Sequence, residues 1–159
     1  MKSLSITYSL VIPVYGNEEN IPYLIPELQK LKQHIGACFE VVFVIDGSPD
    51  RSRQLILEQA TGFHYQLVSH SRNFGSFVAV RTGIEYAKGK FIAVMAADLQ
   101  EPPSLIIDFF DVLEADEADL VFGQRSDRHD SFFKKNLSNV YWSLYRKVVE
   151  PGLPKGGID

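Results

Sequence analysis

Three short stretches of this chain place oxygen-rich side chains directly after apolar runs. The run Phe91-Ile-Ala-Val-Met-Ala-Ala97 breaks at Asp98 and Gln100, ahead of Pro102 and Pro103, which can open a helix. Glu40 to Ile45 is almost continuously apolar and stops at Asp46-Gly47-Ser48-Pro49-Asp50. A third run ends at Pro13 and gives way to Val14-Tyr15-Gly16-Asn17-Glu18. Carboxylate and amide oxygens at a strand end suit Mg²⁺ or Mn²⁺, hard cations that share their ligand shell with phosphates. With Arg72 nearby, two carboxylates, hydroxyls and an aromatic ring suit a ribose, a base edge and a metal-bound diphosphate. Asp98 ahead of prolines is also ordinary turn chemistry, so a cap for the following helix is the competing role for it.

These residues can meet if the apolar runs are neighbouring strands of one polarity. Residues 6–13 read as a first strand. A helix follows from a cap at Asn20 to about His34, with Leu24, Leu28, Leu31 and Ile35 at helical spacing and a kinked or delayed start at Pro22 and Pro26. The turn at Asp46 leads to a helix over about 51–60, capped by Asp50 or Ser48. A strand over 64–69 leads to Arg72-Asn73-Phe74-Gly75 and a helix over 76–88 with Val80, Ile84 and Ala87 on one face. After the strand at Phe91, a helix over 103–115 and a short strand over 119–122 are expected. Strands alternating with helices at this spacing predict a doubly wound α/β domain, Rossmann-like, with a mostly parallel sheet and right-handed crossovers. Ligands of such sheets sit outside the carboxyl ends of the strands.

Length and composition fit one soluble domain without an internal boundary. The N-terminus has no signal-peptide core and no apolar run approaches a membrane span, so this stretch is expected to be soluble and not exported. Cys38 is the single cysteine, which rules out an internal disulfide and fits a reducing compartment. The net charge of −4 and pI near 5.6 argue against a nucleic-acid partner. Charge is uneven, however: residues 101–119 carry seven acids and no Lys or Arg, and residues 125–155 carry seven bases against three acids. A helix over 131–149, with a broad apolar stripe and the cations Lys134, Lys135, Arg146 and Lys147, suits either packing on the domain or a membrane surface. The sequence lacks a P-loop, a Gly-x-Gly-x-x-Gly after the first strand, zinc-ligand spacing and a Gly-x-Ser-x-Gly elbow. His70 reads as a loop residue rather than a catalyst.

The motifs Val11-Ile-Pro-Val-Tyr15, Asp46-Gly-Ser-Pro-Asp50, Arg72-Asn-Phe-Gly75 followed by Gly83, Ala97-Asp-Leu-Gln-Glu-Pro-Pro103 and Gly123-Gln-Arg125 occur in that order. In this combination the chain resembles the inverting family 2 glycosyltransferases of GT-A fold, most closely the branch of dolichyl-phosphate mannosyltransferase and bacterial polyprenyl-phosphate glycosyltransferases. The resemblance implies that Pro13, Tyr15 and Asp46 hold the base and ribose of a UDP- or GDP-sugar, with Glu18, Ser48, Arg72 and Asn73 lining the same nucleotide site. It implies that Asp98 and Gln100 hold the divalent cation and diphosphate, with Asp98 as the catalytic carboxylate. Arg125, Lys135 and Ser138 fall where the acceptor phosphate of a polyprenyl lipid would bind.

Three positions depart from the family pattern. Ile45 stands for the first Asp of Asp-Asp-Gly-Ser, Ala96 for the first Asp of Asp-Ala-Asp, and Asn17 for a Glu that here follows at Glu18. A site with Asp98 and Gln100 as its protein ligands would hold metal mainly through the donor's diphosphate. The resemblance further implies a cytoplasmic location at the inner membrane face and a GT-A fold cut short at its C-terminal side, as the N-terminal part of a longer protein. A weakened nucleotide-sugar-binding or assembly module is the alternative, and a nucleotidyltransferase a third reading.

Overall fold

A computed structural model of the chain describes residues 6–123. The elements run in the order β1 (Tyr8–Val14), α1 (Ile21–Ile35), β2 (Phe39–Ile45), α2 (Ser52–Gln59), β3 (His64–Ser69), α3 (Ser76–Tyr86), β4 (Phe91–Val94) and α4 (Leu105–Glu114). The four strands form one sheet in the order β3-β2-β1-β4, with every neighbouring pair parallel. Val11 pairs with Val42 on one side and Val94 on the other, so the carboxyl ends of all four strands reach the same edge. The chain steps outward from β1 to β3 and then crosses back to lay β4 on the other side of β1. That reversal puts the topological switch point between β1 and β4, where a parallel sheet opens a crevice for a ligand.

Side-chain alternation divides the core into two layers. Leu10, Ile12 and Val14 of β1 and Val41, Phe43 and Ile45 of β2 pack with Leu24, Leu28 and Leu31 of α1, Ile56 of α2 and Ile106 and Phe110 of α4. On the opposite face Val11, Val42 and Val44 pack with Ala79 of α3. The continuous apolar run of β2 follows from this arrangement, since all seven of its residues are buried. α1 begins at Ile21 directly after Asn20, and Pro22 is accommodated in the first turn, where a missing N–H costs nothing.

Two expectations need correction. The packed side of α3 is not the Val80-Ile84 face. Ile84 is exposed, and the buried positions are Ala79 and Gly83, with Ala87 just past the helix end packed against the same layer. A Cβ at Gly83 would lie 2.2 Å from Val11 Cγ1, so the helix approaches the sheet too closely for larger residues. Residues 119–122 have no regular structure, as a short apolar segment holds a strand conformation only through a ladder partner.

At the edge of the sheet opposite the strand ends, buried Glu40 accepts from the Ser9 hydroxyl at 2.8 Å and from the Lys88 N–H at 2.8 Å. The Ser9 oxygen in turn accepts from the Gly89 N–H at 2.8 Å. This cluster anchors the turn between α3 and β4 from below.

Candidate functional site

The loops after β1 and β2 are stitched together. Asp50 accepts from the Glu18 N–H at 2.9 Å, from the Ser52 N–H at 3.1 Å and from the hydroxyls of Ser48 and Ser52 at 2.6 and 2.9 Å. Glu18 reciprocates by accepting from the Arg51 N–H at 2.9 Å. Ser48 Oγ accepts from the Gly16 N–H at 2.8 Å, and Ser52 Oγ from the Asn17 N–H at 3.1 Å. Burial by itself would raise the Asp50 pKa. The donors from Ser48, Ser52 and Glu18 win and hold it at about 2. The expected cap of α2 at Asp50 or Ser48 needs correction: Arg51 holds the cap position without a side-chain cap bond, and Asp50, one residue earlier, supports the first turn through the Ser52 N–H instead. Glu18 and Ser48 lie within this clip, and Tyr15, 50% exposed, projects from its edge.

The β2 and β3 ends are joined through Asp46. This side chain is 3% exposed. One oxygen accepts from the Phe74 N–H at 2.9 Å and from His70 Nδ1 at 2.8 Å; the other accepts from the Gly75 N–H at 2.8 Å. Burial pushes its pKa up, but these three donors keep it below the usual carboxylate range. Asp46 is therefore ionised and shapes the loop of Arg72, Asn73, Phe74 and Gly75. That loop rests on Gly47, whose φ is +63° and where a Cβ would come within 2.2 Å of the Arg72 carbonyl carbon. Asn73 Oδ1 also accepts from the Gly75 N–H at 2.9 Å. The Arg72 guanidinium lies 4.7 Å from the centre of the Phe74 ring, which leaves an exposed cation at the rim.

The turn after β4 is simpler. Asp98 is partly exposed, Gln100 is exposed, and the Gln100 N–H donates to Asp98 Oδ1 at 3.2 Å. Leu99 between them has φ +57°, a left-handed conformation that a branched aliphatic residue adopts at a cost of about 1–3 kcal/mol. Its side chain packs against the main core, which offsets that cost. Among the described residues no group of three His, Cys, Asp or Glu side chains could hold a metal ion. The Asp98 and Gln100 side chains carry the oxygen donors a hard cation takes, but two such residues would leave most of its coordination shell to other ligands. Pro13 sits half-buried near the end of β1. Arg125, Lys135, Ser138 and the basic helix over 131–149 lie outside the described residues.

A model of the family described as glycosyl transferase family 2 matches residues 9–155. The chain belongs to that family. Among its relatives is the uncharacterized glycosyltransferase YkcC of Bacillus subtilis, 32% identical over 96% of this chain and 47% of YkcC. The glycosyltransferase sll0501 of Synechocystis is 31% identical over 98% of the chain and 49% of its own length. The chain thus spans about half the length of the curated relatives it matches. Its fold matches S. aureus TarS, solved in complex with UDP-GlcNAc, at a TM-score of 0.64 and 21% identity, covering 79% of this chain and 37% of that one. It also matches the mannosyltransferase PcManGT of Pyrobaculum calidifontis, in complex with GDP-Man and Mn²⁺, at 0.55 and 20%, covering 62% and 30%. These likenesses place the described sheet within a GT-A-like fold. Against the family pattern, Ile45 is buried among core residues and Ala96 is exposed without a donor atom. The resemblance did not single out Asp50 as a loop tie or His70 as a partner of Asp46. The Ser-x-Asp-x-Ser spacing at 48–52 was the available signal for the first; none was present for the second.

Proposed function

We propose that this domain binds a UDP- or GDP-sugar across the β1/β4 crevice and, within its full-length protein, transfers the sugar with inversion to a polyprenyl phosphate. The observation that carries this reading is the parallel β3-β2-β1-β4 order, which sets Tyr15, the Arg72–Gly75 loop and Asp98 with Gln100 along one edge. Base and ribose would sit beside Pro13, Tyr15 and the loops held by Asp46 and Ser48. The diphosphate would extend toward Asp98 and Gln100, with Arg72 as a nearby positive charge. Complexes of TarS with UDP-GlcNAc and of PcManGT with GDP-Man and Mn²⁺ support a nucleotide-sugar donor and a divalent cation.

The cation, Mg²⁺ or Mn²⁺, would neutralise charge that builds on the departing nucleoside diphosphate. Asp98 and Gln100 would hold it, and the exposed Arg72 guanidinium would add electrostatic stabilisation to the same leaving group. A phosphate monoester acceptor has its second pKa near ~6 and is largely ionised at neutral pH, so it attacks without a dedicated general base. A lipid acceptor would put the reaction at a membrane surface, the cytoplasmic face in this reading, with Arg125, Lys135 and Ser138 as candidates for its phosphate.

Titration calorimetry with UDP and GDP, with and without Mn²⁺, tests the donor half. Binding strengthened by Mn²⁺ and lost in Asp98→Ala is expected; tight Mn²⁺ binding without nucleotide would contradict the shared ligand shell. Labelled sugar transfer to a polyprenyl phosphate by the full-length protein tests the acceptor half. The lack of a carboxylate at Ala96 favours one second reading, a nucleotide-sugar-binding module of reduced activity. Donor binding without transfer in that assay would select it.

A further inference from the structure

His70 has partners at both ring nitrogens. Nδ1 lies 2.8 Å from Asp46 Oδ1 and Nε2 lies 3.0 Å from the Thr82 hydroxyl of α3. Because Asp46 is ionised, Nδ1–H is the donor, and a neutral ring then accepts at Nε2 from the Thr82 O–H. The ring also stands edge-on to Phe74, with centroids 5.4 Å apart at 90°. One imidazole therefore touches a helix, the buried carboxylate and the aromatic ring beneath Arg72.

The loop from Arg72 to Gly75 has little freedom elsewhere. Gly47 blocks it from below, and Asp46 receives its Phe74 and Gly75 N–H groups. Without His70, the Asp46 carboxylate would lose its one side-chain donor and could rotate away from those two amides. Its burial makes that loss costly, since a buried carboxylate needs its donors.

We propose that His70 is a positioning residue for the nucleotide end of the site: tied to Thr82 and Asp46, it fixes the Arg72–Gly75 loop, and with it the Arg72 guanidinium, in the conformation that receives the donor. This rests on the nucleotide-sugar reading above. It assigns His70 no contact with substrate and no proton to transfer. The Asp46 bond is the one that matters for the loop, and the Thr82 bond orients the ring.

The test uses His70→Asn, whose amide nitrogen reaches the place of Nδ1, and His70→Gln, whose amide nitrogen reaches the place of Nε2. Amide hydrogen exchange without ligand is read at Phe74 and Gly75, and affinity for UDP and GDP with Mn²⁺ is read by calorimetry. In His70→Gln the two amides should exchange at least about 10-fold faster and nucleotide affinity should fall about 10-fold, the size of one lost charge-assisted bond. His70→Asn should stay near the wild type in both, and the losses in His70→Gln should be confined to Phe74, Gly75 and nucleotide affinity instead of spreading over the amides of the whole sheet. A structural filler would give equal losses in both variants, tracking Tm, and that result overturns the proposal. Unchanged exchange at Phe74 and Gly75 in His70→Gln overturns it as well. Faster exchange in His70→Gln with no nucleotide bound by the wild type would instead defeat the donor reading and leave the loop link standing.

Discussion

The loops after β1, β2 and β3 are tied to one another through the side chains of Asp50 and Asp46, whereas in the turn after β4 the Asp98 carboxylate accepts from the Gln100 N–H within the turn itself and Leu99 packs against the core. The first region resembles a finished socket, in which two buried or half-buried carboxylates accept backbone N–H groups from neighbouring loops. The second presents a partly exposed Asp98 and an exposed Gln100. Preorganisation suits the recognition of a rigid base and ribose, because the loops lose little freedom on binding. A turn with open oxygen sites suits a cation that arrives with its diphosphate.

The sharpest way to break this contrast is Gly47→Ala. The substitution meets both a left-handed backbone and the Arg72 main chain, and should cost about 3 kcal/mol in chemical denaturation. Nucleotide binding should be lost with it; a change below about 1 kcal/mol would show that the loops part without penalty. Asp50→Ala removes one acceptor from four donors and should cost about 2 kcal/mol, read as a shift in the denaturant midpoint.

Acid titration sharpens the same side. Asp50 has a folded pKa of about 2 against an unfolded 3.8, so its contribution is fully present above the unfolded value and is lost as pH falls from about 4 toward 2. Asp46, also lowered, acts in the same direction. Wild type should lose stability through that window, and Asp50→Ala should show a flatter profile there by thermal melting. Smallest in stability terms is Asp98→Ala, expected within about 0.5 kcal/mol of wild type because few protein groups depend on that carboxylate. Its effect should appear instead in the Mn²⁺-dependent part of nucleotide affinity. A large destabilisation would mean that Asp98 is a structural cap after all.

The strands and α1 were legible because their signals are local: the apolar runs at 40–45 and 91–97, and Leu24, Leu28 and Leu31 at helical spacing. The strand-end positions of Asp46 and Asp98 followed from the breaks in those runs. The face of α3 was misread in part: of the expected residues Ala87 does pack on the sheet, but the large Val80 and Ile84 drew attention from the smaller Ala79 and Gly83, which pack by proximity instead of bulk. The role of His70 was out of reach for a different reason. Its partners stand 24 residues before it and 12 after, joined only once the sheet brings them together. Asp46 likewise looked ligand-facing in the motif, although its oxygens receive three donors from the protein itself.

The snug seat of α3 on the sheet reaches further than its own packing. Thr82 is the neighbour of Gly83, where the helix comes too near to Val11 and Val44 to admit a Cβ. Adding a methyl group at Gly83 would lever the helix outward and carry the threonine hydroxyl away from the imidazole. The height of one helix above its floor thus acts as a calibration for loops several residues distant.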